Sequence, residues 1–397
     1  MLTEITKHFK KQSGHFFVLN LLHMLNDGYN ASLLLLLPFI AASLHIHLTE
    51  VGFLGTVVNS LRLVFALPAA YIATKYGGIR TLIVAMFLYD IGFLVIPFAP
   101  NYFWLIPLFL FIGIGFALFH PIAFALIAQW SKKETRGKSM GNFTAIGDVG
   151  RVGIATIITI IIATIGLHAT VFVYAVIALF IASFITFFFF SKNDHIHINE
   201  TKVSPISLRT ILANKAFIFA SLASFFDDFS STTIFLFLPF LLLQRGVNPA
   251  FLGAFTAVFF IGTFLGKTTL GRFADRFGGA KVFIVSEFCM AVCIFILATA
   301  TLFPLIIICS LILGMFTKGT VPILNTMLTE SAESHGNYKK TFGLSAFIDG
   351  IATTIAPVLL GVISDTFGIT SAFQTMALFA VLAIVPAFAF SLTKKQY

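Results

Sequence analysis

Residues 23–38 read HMLNDGYNASLLLLLP, and residues 224–239, an offset of 201 positions, read SFFDDFSSTTIFLFLP. Each is a long apolar run broken by hydrogen-bonding groups and a carboxylate. Each also places that carboxylate, Asp27 or Asp228, eleven residues before a proline, Pro38 or Pro239. The same offset, with no gap, pairs Gly52 with Gly253, Lys75 with Arg276, Gly77 and Gly78 with Gly278 and Gly279, Gly113 with Gly314, Pro121 with Pro322, and Asp148 with Asp349. One such match arises by chance, whereas a series in register marks a duplicated half.

The chain around these stretches is too apolar for a soluble domain. Of 397 residues 58% are hydrophobic and only 10% charged, with a mean hydropathy of +0.99, which places the chain in a bilayer. Apolar windows long enough to cross about 30 Å of hydrocarbon recur at 16–43, 50–73, 81–99, 102–130, 139–165 and 168–190, then at 215–243, 250–270, 281–301, 303–328, 341–363 and 370–391. They are too long and too uniformly apolar for the alternating strands of a membrane barrel, and lipid leaves no backbone group unpaired. The expected fold is an all-α membrane protein of twelve transmembrane helices in two pseudo-symmetric six-helix bundles. The expected domains are a cytoplasmic N-terminal arm at 1–15, bundles at 16–190 and 215–391, a cytoplasmic linker at 191–214, and a cytoplasmic tail at 392–397. The apolar run after the arm is longer than a signal-peptide core and is read as a retained first span.

The formal charge of +9 raises the question of nucleic acid, and the placement of the 25 Lys and Arg residues answers it. With the N-terminus inside, the outer loops carry only Arg245, the spans carry Arg62, Arg151, Lys267 and Lys318, and every other basic residue falls on the inner side. That asymmetry is topological: it sets both termini on the cytoplasmic side of an inner (plasma) membrane and excludes nucleic acid as a partner. Cys289, Cys293 and Cys309 sit in apolar context without a CxxC spacing and read as small apolar fillers. His45, His47, His195 and His197 alternate in loops and read as solvated, so no metal site and no cofactor are expected. No GxxxxGK[ST] loop occurs, which excludes ATP as the energy source. The sequence Ile146-Gly147-Asp148 is a poor match to intramembrane aspartyl proteases, and the repeat already accounts for Asp148, so no enzyme is expected.

Two parallel six-helix halves joined by a cytoplasmic linker follow the plan of major facilitator transporters. The segment Gly271-Arg-Phe-Ala-Asp275-Arg276-Phe-Gly278-Gly279-Ala-Lys281 resembles that superfamily's loop signature after the eighth span. The resemblance implies a cytoplasmic latch formed by Gly271, Asp275, Arg276, Gly278 and Lys281, with glycines for a tight reversal and Asp275 for a helix N-terminus. The first-half copy, ATKYGGIR, has Thr74 in place of the acid. His23, Asn26-Asp27, Pro38 and the run Gly113-Ile-Gly115-Phe-Ala-Leu-Phe119-His120-Pro121 are similar to the fosmidomycin-resistance-like efflux branch of that superfamily. Ile122 stands where the branch often has an acid.

Ionisable residues inside spans cost about 2.5 to 3.5 kcal/mol each at a helix centre, so they must face water, pair, or sit near an interface. They are Asp27, Asp90, Asp148, Asp227, Asp228, Glu287 and Asp349, with Arg62, Arg151, Lys267 and Lys318. The resemblance places the first, fourth, seventh and tenth spans around a central cavity. Proton coupling is then expected at Asp27, Asp228, His120 and His23. Substrate binding is expected at Asn26, Arg62, Asp227, Lys318, Asp148, Arg151 and Asp349. Other pairings remain open: Arg151 with Asp148 on one helix face, Arg62 with Asp90, and Lys318 with Asp227 or Asp228. Glu287, near the inner end of its span, is assigned to the latch, and Asp90 has no assigned role. Both belong to spans expected to face outward. The function expected is a monomeric, proton-coupled secondary transporter that exports a small drug-like compound or metabolite by alternating access. Proton-coupled uptake of an organic anion or metal chelate is the alternative.

Overall fold

The computed structural model describes residues 2–65, 68–131, 136–189, 208–333 and 338–393, which are helical almost throughout, with no strand among them. The helices are α1 (Leu2–Leu44), α2 (Leu48–Phe65), α3 (Pro68–Tyr76), α4 (Gly78–Val95), α5 (Tyr102–Trp130), α6 (Arg136–Phe189) and α7 (Leu208–Leu212). They continue with α8 (Lys215–Gln244), α9 (Leu252–Phe277), α10 (Gly279–Thr299), α11 (Phe303–Gly319), α12 (Val321–Glu333), α13 (Tyr338–Phe367) and α14 (Ile369–Thr393). Eleven stretches among the described residues are long and apolar enough to cross a membrane. One of them, 139–187, is 49 residues long, about twice what a bilayer requires. Gly166, at φ 78° and ψ 172°, breaks it into two, which gives the twelve spans. Of the expected linker, 191–207 lies outside the described residues and 208–214 carries the short α7; of the expected tail, 394–397 lies outside and 392–393 still belong to α14. The polar residues of the N-terminal arm form the start of α1 and run into the first span without a break.

The chain divides into two compact units, Met1–His45 with Val57–Asn199, and Ile46–Thr56 with Glu200–Tyr397. In the first, α1 packs along α6 and α4 along α5; in the second, α8 packs on α13 and α14, α9 on α11, and α10 on α14. The duplication reaches backbone detail. Gly77 before α4 and Gly278 before α10 hold nearly the same conformation, φ 94° and ψ 139° against φ 91° and ψ 134°, a region that side chains with a Cβ rarely enter.

The proline pair in the repeat is less symmetric. Pro121 sits inside a continuous α5, whereas before Pro322 the helix breaks at Thr320 between α11 and α12. A proline lacks the N–H its helix needs and crowds the carbonyl four residues back. The break leaves the Thr320 hydroxyl turned towards Asp227.

Within the second unit, Asp365 near the end of α13 caps the start of α2, accepting from the backbone N–H of Leu48 at 3.0 Å and of Thr49 at 2.7 Å. Glu50 reaches back to the N–H of His47 at 2.7 Å, the return half of a capping box. Arg245 donates to the Ala298 carbonyl and, at 3.0 Å, to Thr370 Oγ1. It thereby places a cation at the C-terminal end of α10.

Candidate functional site

In the first unit the polar residues of α1, α5 and α6 converge on Asp27, whose side chain is 1% exposed. Its Oδ2 lies 2.6 Å from Arg151 Nη2 and 3.0 Å from His23 Nε2. Its Oδ1 lies 3.2 Å from His120 Nε2 and accepts from Asn26 Nδ2 at 3.1 Å. Arg151 also binds Asp148 one turn before it on α6, so the pairing anticipated within that helix exists, and the same guanidinium extends it to α1. His23 is held from behind. Its Nδ1 is 2.8 Å from the Phe143 carbonyl oxygen, and its ring stacks on Phe143 with centroids 3.8 Å apart.

A missing side chain makes this geometry possible. A Cβ on Gly147 would lie 2.4 Å from Asp27 Oδ2 and 2.5 Å from His23 Cε1, and one on Gly150 would lie 2.0 Å from the Met24 carbonyl oxygen. Glycine at both positions lets α6 approach α1 backbone to backbone and brings Arg151 within reach of Asp27.

Arg62 belongs to the same unit but does not pair with Asp90. Its guanidinium lies over the Phe116 ring, 4.0 Å from the centroid, and Nη1 donates to Asn59 Oδ1 at 3.3 Å. Asp90 is fully buried, and no hydrogen-bond donor reaches either of its oxygens among the described residues. The expectation that its span faces outward is therefore corrected at this position. Asp90 falls on the face of α4 that carries the buried Met86 and Phe93, and the Tyr29 and Tyr89 side chains are its near neighbours.

The second unit gathers a different set. Asp227 and Asp228 on α8, Glu287 on α10, Lys318 on α11 and Asp349 on α13 interact electrostatically. Thr232 Oγ1 donates to Asp228 Oδ1 at 3.1 Å, Ser345 Oγ to Asp349 Oδ2 at 3.4 Å, and Thr320 Oγ1 lies 3.3 Å from Asp227 Oδ2. Lys318 faces Asp228 and Asp227, but no ion pair within 4 Å joins it to either among the described residues. Glu287 is not part of the latch: it is fully buried beside Asp227. The sequence carried no signal for this: Phe283, Met290 and Ile294, at helical spacing from Glu287, are buried, but the equally apolar Val285, Phe288 and Val292 of the same helix are exposed, so only the structure puts the acid on the inner face of α10.

The loop residues expected to form the latch lie at the junction of α9 and α10. Gly278 makes the turn, Gly271 is half-buried, and Asp275, Arg276 and Lys281 are exposed. Arg276 rests over the Phe277 ring at 5.2 Å. Among the described residues no hydrogen bond or ion pair engages Asp275. Phe116, Phe143, Gly147, Asn59 and Thr320 are the site residues that charge-based reading of the sequence missed, because each contributes a ring face, a backbone oxygen, a space or a neutral hydrogen-bonding group.

The ligand atoms of His23, Asp27 and His120 lie within 4.8 Å of one another, close enough to hold a metal ion. Arg151 and Asn26 already occupy the Asp27 oxygens, and a guanidinium at 2.6 Å competes directly with a metal cation. The donor set is thus better suited to hydrogen bonding and proton exchange.

Comparison with known proteins places this arrangement in a family. The chain is 24% identical to the uncharacterized MFS-type transporter YfnC of Bacillus subtilis over 96% of its length and 92% of that protein. It is 25% identical to the multi-drug resistance efflux pump PmrA of Streptococcus pneumoniae over 77% of each chain. It is 24% identical to the nitrite extrusion protein of Bacillus subtilis over 72% of this chain and 69% of that one. Among solved structures, the fold is similar to a bacterial homologue of the human lysosomal transporter Spinster, with a TM-score of 0.77 at 16% identity over 96% of this chain and 97% of the other. It is also similar to the nucleoside transporter NupG, with a TM-score of 0.74 at 14% identity over 95% and 99%. The sequence model of the Major Facilitator Superfamily matches residues 16–226 and 220–396, and with this fold and these buried charges the chain belongs to that superfamily.

Proposed function

We propose that this multi-pass membrane transporter is a proton-coupled secondary carrier that exports a small drug-like compound or metabolite by alternating access, with the Asp27 cluster as its proton-handling element. The observation that carries the proposal is the double engagement of His23. A carbonyl oxygen only accepts, so Nδ1 donates to Phe143. In a neutral ring this leaves a lone pair on Nε2, 3.0 Å from an Asp27 oxygen, and two acceptors at that distance repel. One further proton, on Nε2 or on the carboxyl, removes the conflict. The Arg151 guanidinium, 2.6 Å from the Asp27 carboxylate, holds the carboxylate charge when that extra proton leaves. His120, with its side chain 28% exposed, connects the buried carboxylate to a more open surface. A substrate that changes the charge around Asp27 then shifts the proton, and the proton in turn shifts substrate affinity.

Export is supported by relatives that include a multi-drug efflux pump and a nitrite extrusion protein. One observation favours the second reading, uptake of an organic anion or metal chelate. Arg62 presents a guanidinium on an aromatic face with no carboxylate within ion-pair distance among the described residues, an arrangement suited to a carboxylate or phosphonate.

The test is transport in proteoliposomes under an imposed pH gradient, with ethidium and nitrite as probes. Asp27→Asn and Asp228→Asn are each expected to keep probe exchange and lose gradient-driven accumulation. Full gradient-driven accumulation in the double variant would show that the proton travels elsewhere. Orientation is tested by labelling single cysteines from outside: positions 47, 101, 168, 248 and 365 are expected to react and position 276 to be protected. The reverse pattern would place both termini outside.

A further inference from the structure

We propose that Asp227 and Glu287 form a buried carboxyl pair that holds one proton between them, a second proton-binding site in the second unit, independent of the Asp27 cluster. Glu287 is 0% exposed and Asp227 2%. The Thr320 hydroxyl lies 3.3 and 3.4 Å from the two Asp227 oxygens, but no donor reaches either oxygen of Glu287 among the described residues. Its polar partner is the Asp227 carboxyl itself. Two carboxylates offer only acceptors, so they bond to each other only when one carries a proton. Leaving both ionised would put two like charges side by side away from water, the situation in which paired acids share a proton.

The surrounding charges do not supply an alternative. Asp228 on α8 and Asp349 on α13 are further acids, and Lys318 on α11 is a cation that faces the group. The adjoining α14 has no titratable residue. One ammonium near four carboxyls cannot neutralise them, and a proton is the cation that fits between two neighbouring carboxyls. The break before Pro322 holds Thr320 against Asp227, so movement at that break would change the hydrogen bonding of the pair and with it the hold on the proton.

The test uses the full-length protein in lipid nanodiscs. Infrared difference spectra between wild type and Glu287→Gln, and between wild type and Asp227→Asn, are each expected to show loss of one protonated-carboxyl C=O absorption at neutral pH. That absorption should persist in the Asp27→Asn background. The unfolding temperature of the wild type is expected to fall as pH rises, because the native state holds a proton that the unfolded chain releases. In Glu287→Gln this dependence should flatten while the protein stays folded, since the amide donates to Asp227 as the acid would. Glu287→Ala should lose that support. An unchanged carboxyl absorption in both amide variants would overturn the proposal. So would an unfolding temperature that rises with sodium at fixed pH and is indifferent to pH, which would identify a sodium site instead.

Discussion

Asp27 in the first unit and Asp228 in the second occupy one position of the repeat, and their surroundings have diverged in opposite directions. Around Asp27 stand His23, His120 and Arg151, while the register-equivalent residues of the other half are Ser224, Val321 and Ala352. Around Asp228 stand Asp227, Glu287, Lys318 and Thr320, where the first half has Asn26, Met86, Ala117 and Phe119. Duplication preserved the helices and turns, down to the φ of Gly77 and Gly278, and left the charge balance of each half free to change. One half answers its buried carboxylate with cations. The other collects acids and, in our proposal, answers them with a proton. Under that proposal, two halves that handle charge in different ways would give two separate points at which a proton is held.

The largest expected break in this comparison comes from Arg151→Ala, which leaves Asp27 buried without its closest cation. Loss of one partner of a buried pair costs about 3 to 5 kcal/mol. A lower unfolding midpoint in detergent, largely restored by adding Asp27→Asn, is the expected outcome. Recovery fails if Arg151 acts mainly through packing. The register mate Ala352 already lacks a cation, so the second unit shows what the scaffold tolerates when the acid can be neutralised otherwise.

A smaller effect is expected from Gly150→Ala. The added methyl would meet the Met24 carbonyl oxygen at 2.0 Å, and overpacking of this kind costs about 1 to 3 kcal/mol. Its register mate is Ile351, 36% exposed, where substitution by alanine should change stability by less than about 0.5 kcal/mol. Equal costs at the two positions would show that the close α1–α6 approach has no special role.

The smallest effect separates the loop ends of the halves. Asp365→Ala removes the cap on α2 and should cost about 1 kcal/mol, read as a small fall in the unfolding midpoint. The equivalent position in the first half is Thr164, whose hydroxyl bonds only within its own helix, to the Ile161 carbonyl. Thr164→Ala is expected to have no measurable effect.

Most of the fold was legible from residue types and spacing. Apolar runs of bilayer length dictate helices because lipid offers the backbone no other partner, and the 201-residue register dictates two similar halves. The residues with chemical potential were also visible, since Asp27, His23, His120 and Arg151 are costly in a membrane and stand out for that reason. What sequence could not give was who meets whom. Arg62 faces Phe116 and not Asp90, because a guanidinium's partner depends on which face of the neighbouring helix is presented. Glu287 joins Asp227 and not the latch, because its depth along α10 is no guide to its rotation about the helix axis, which its buried neighbours reveal.

Local composition and periodicity suffice for the class of molecule, the number of spans, the duplication and the inventory of intramembrane charges. Tertiary structure alone decided the pairings. Hydrogen bonds and ion pairs depend on distances of about 3 Å, and those distances are set by how closely helices far apart in sequence approach. In this chain the absent side chains of Gly147 and Gly150 allow one such approach, and the break before Pro322 turns Thr320 to Asp227.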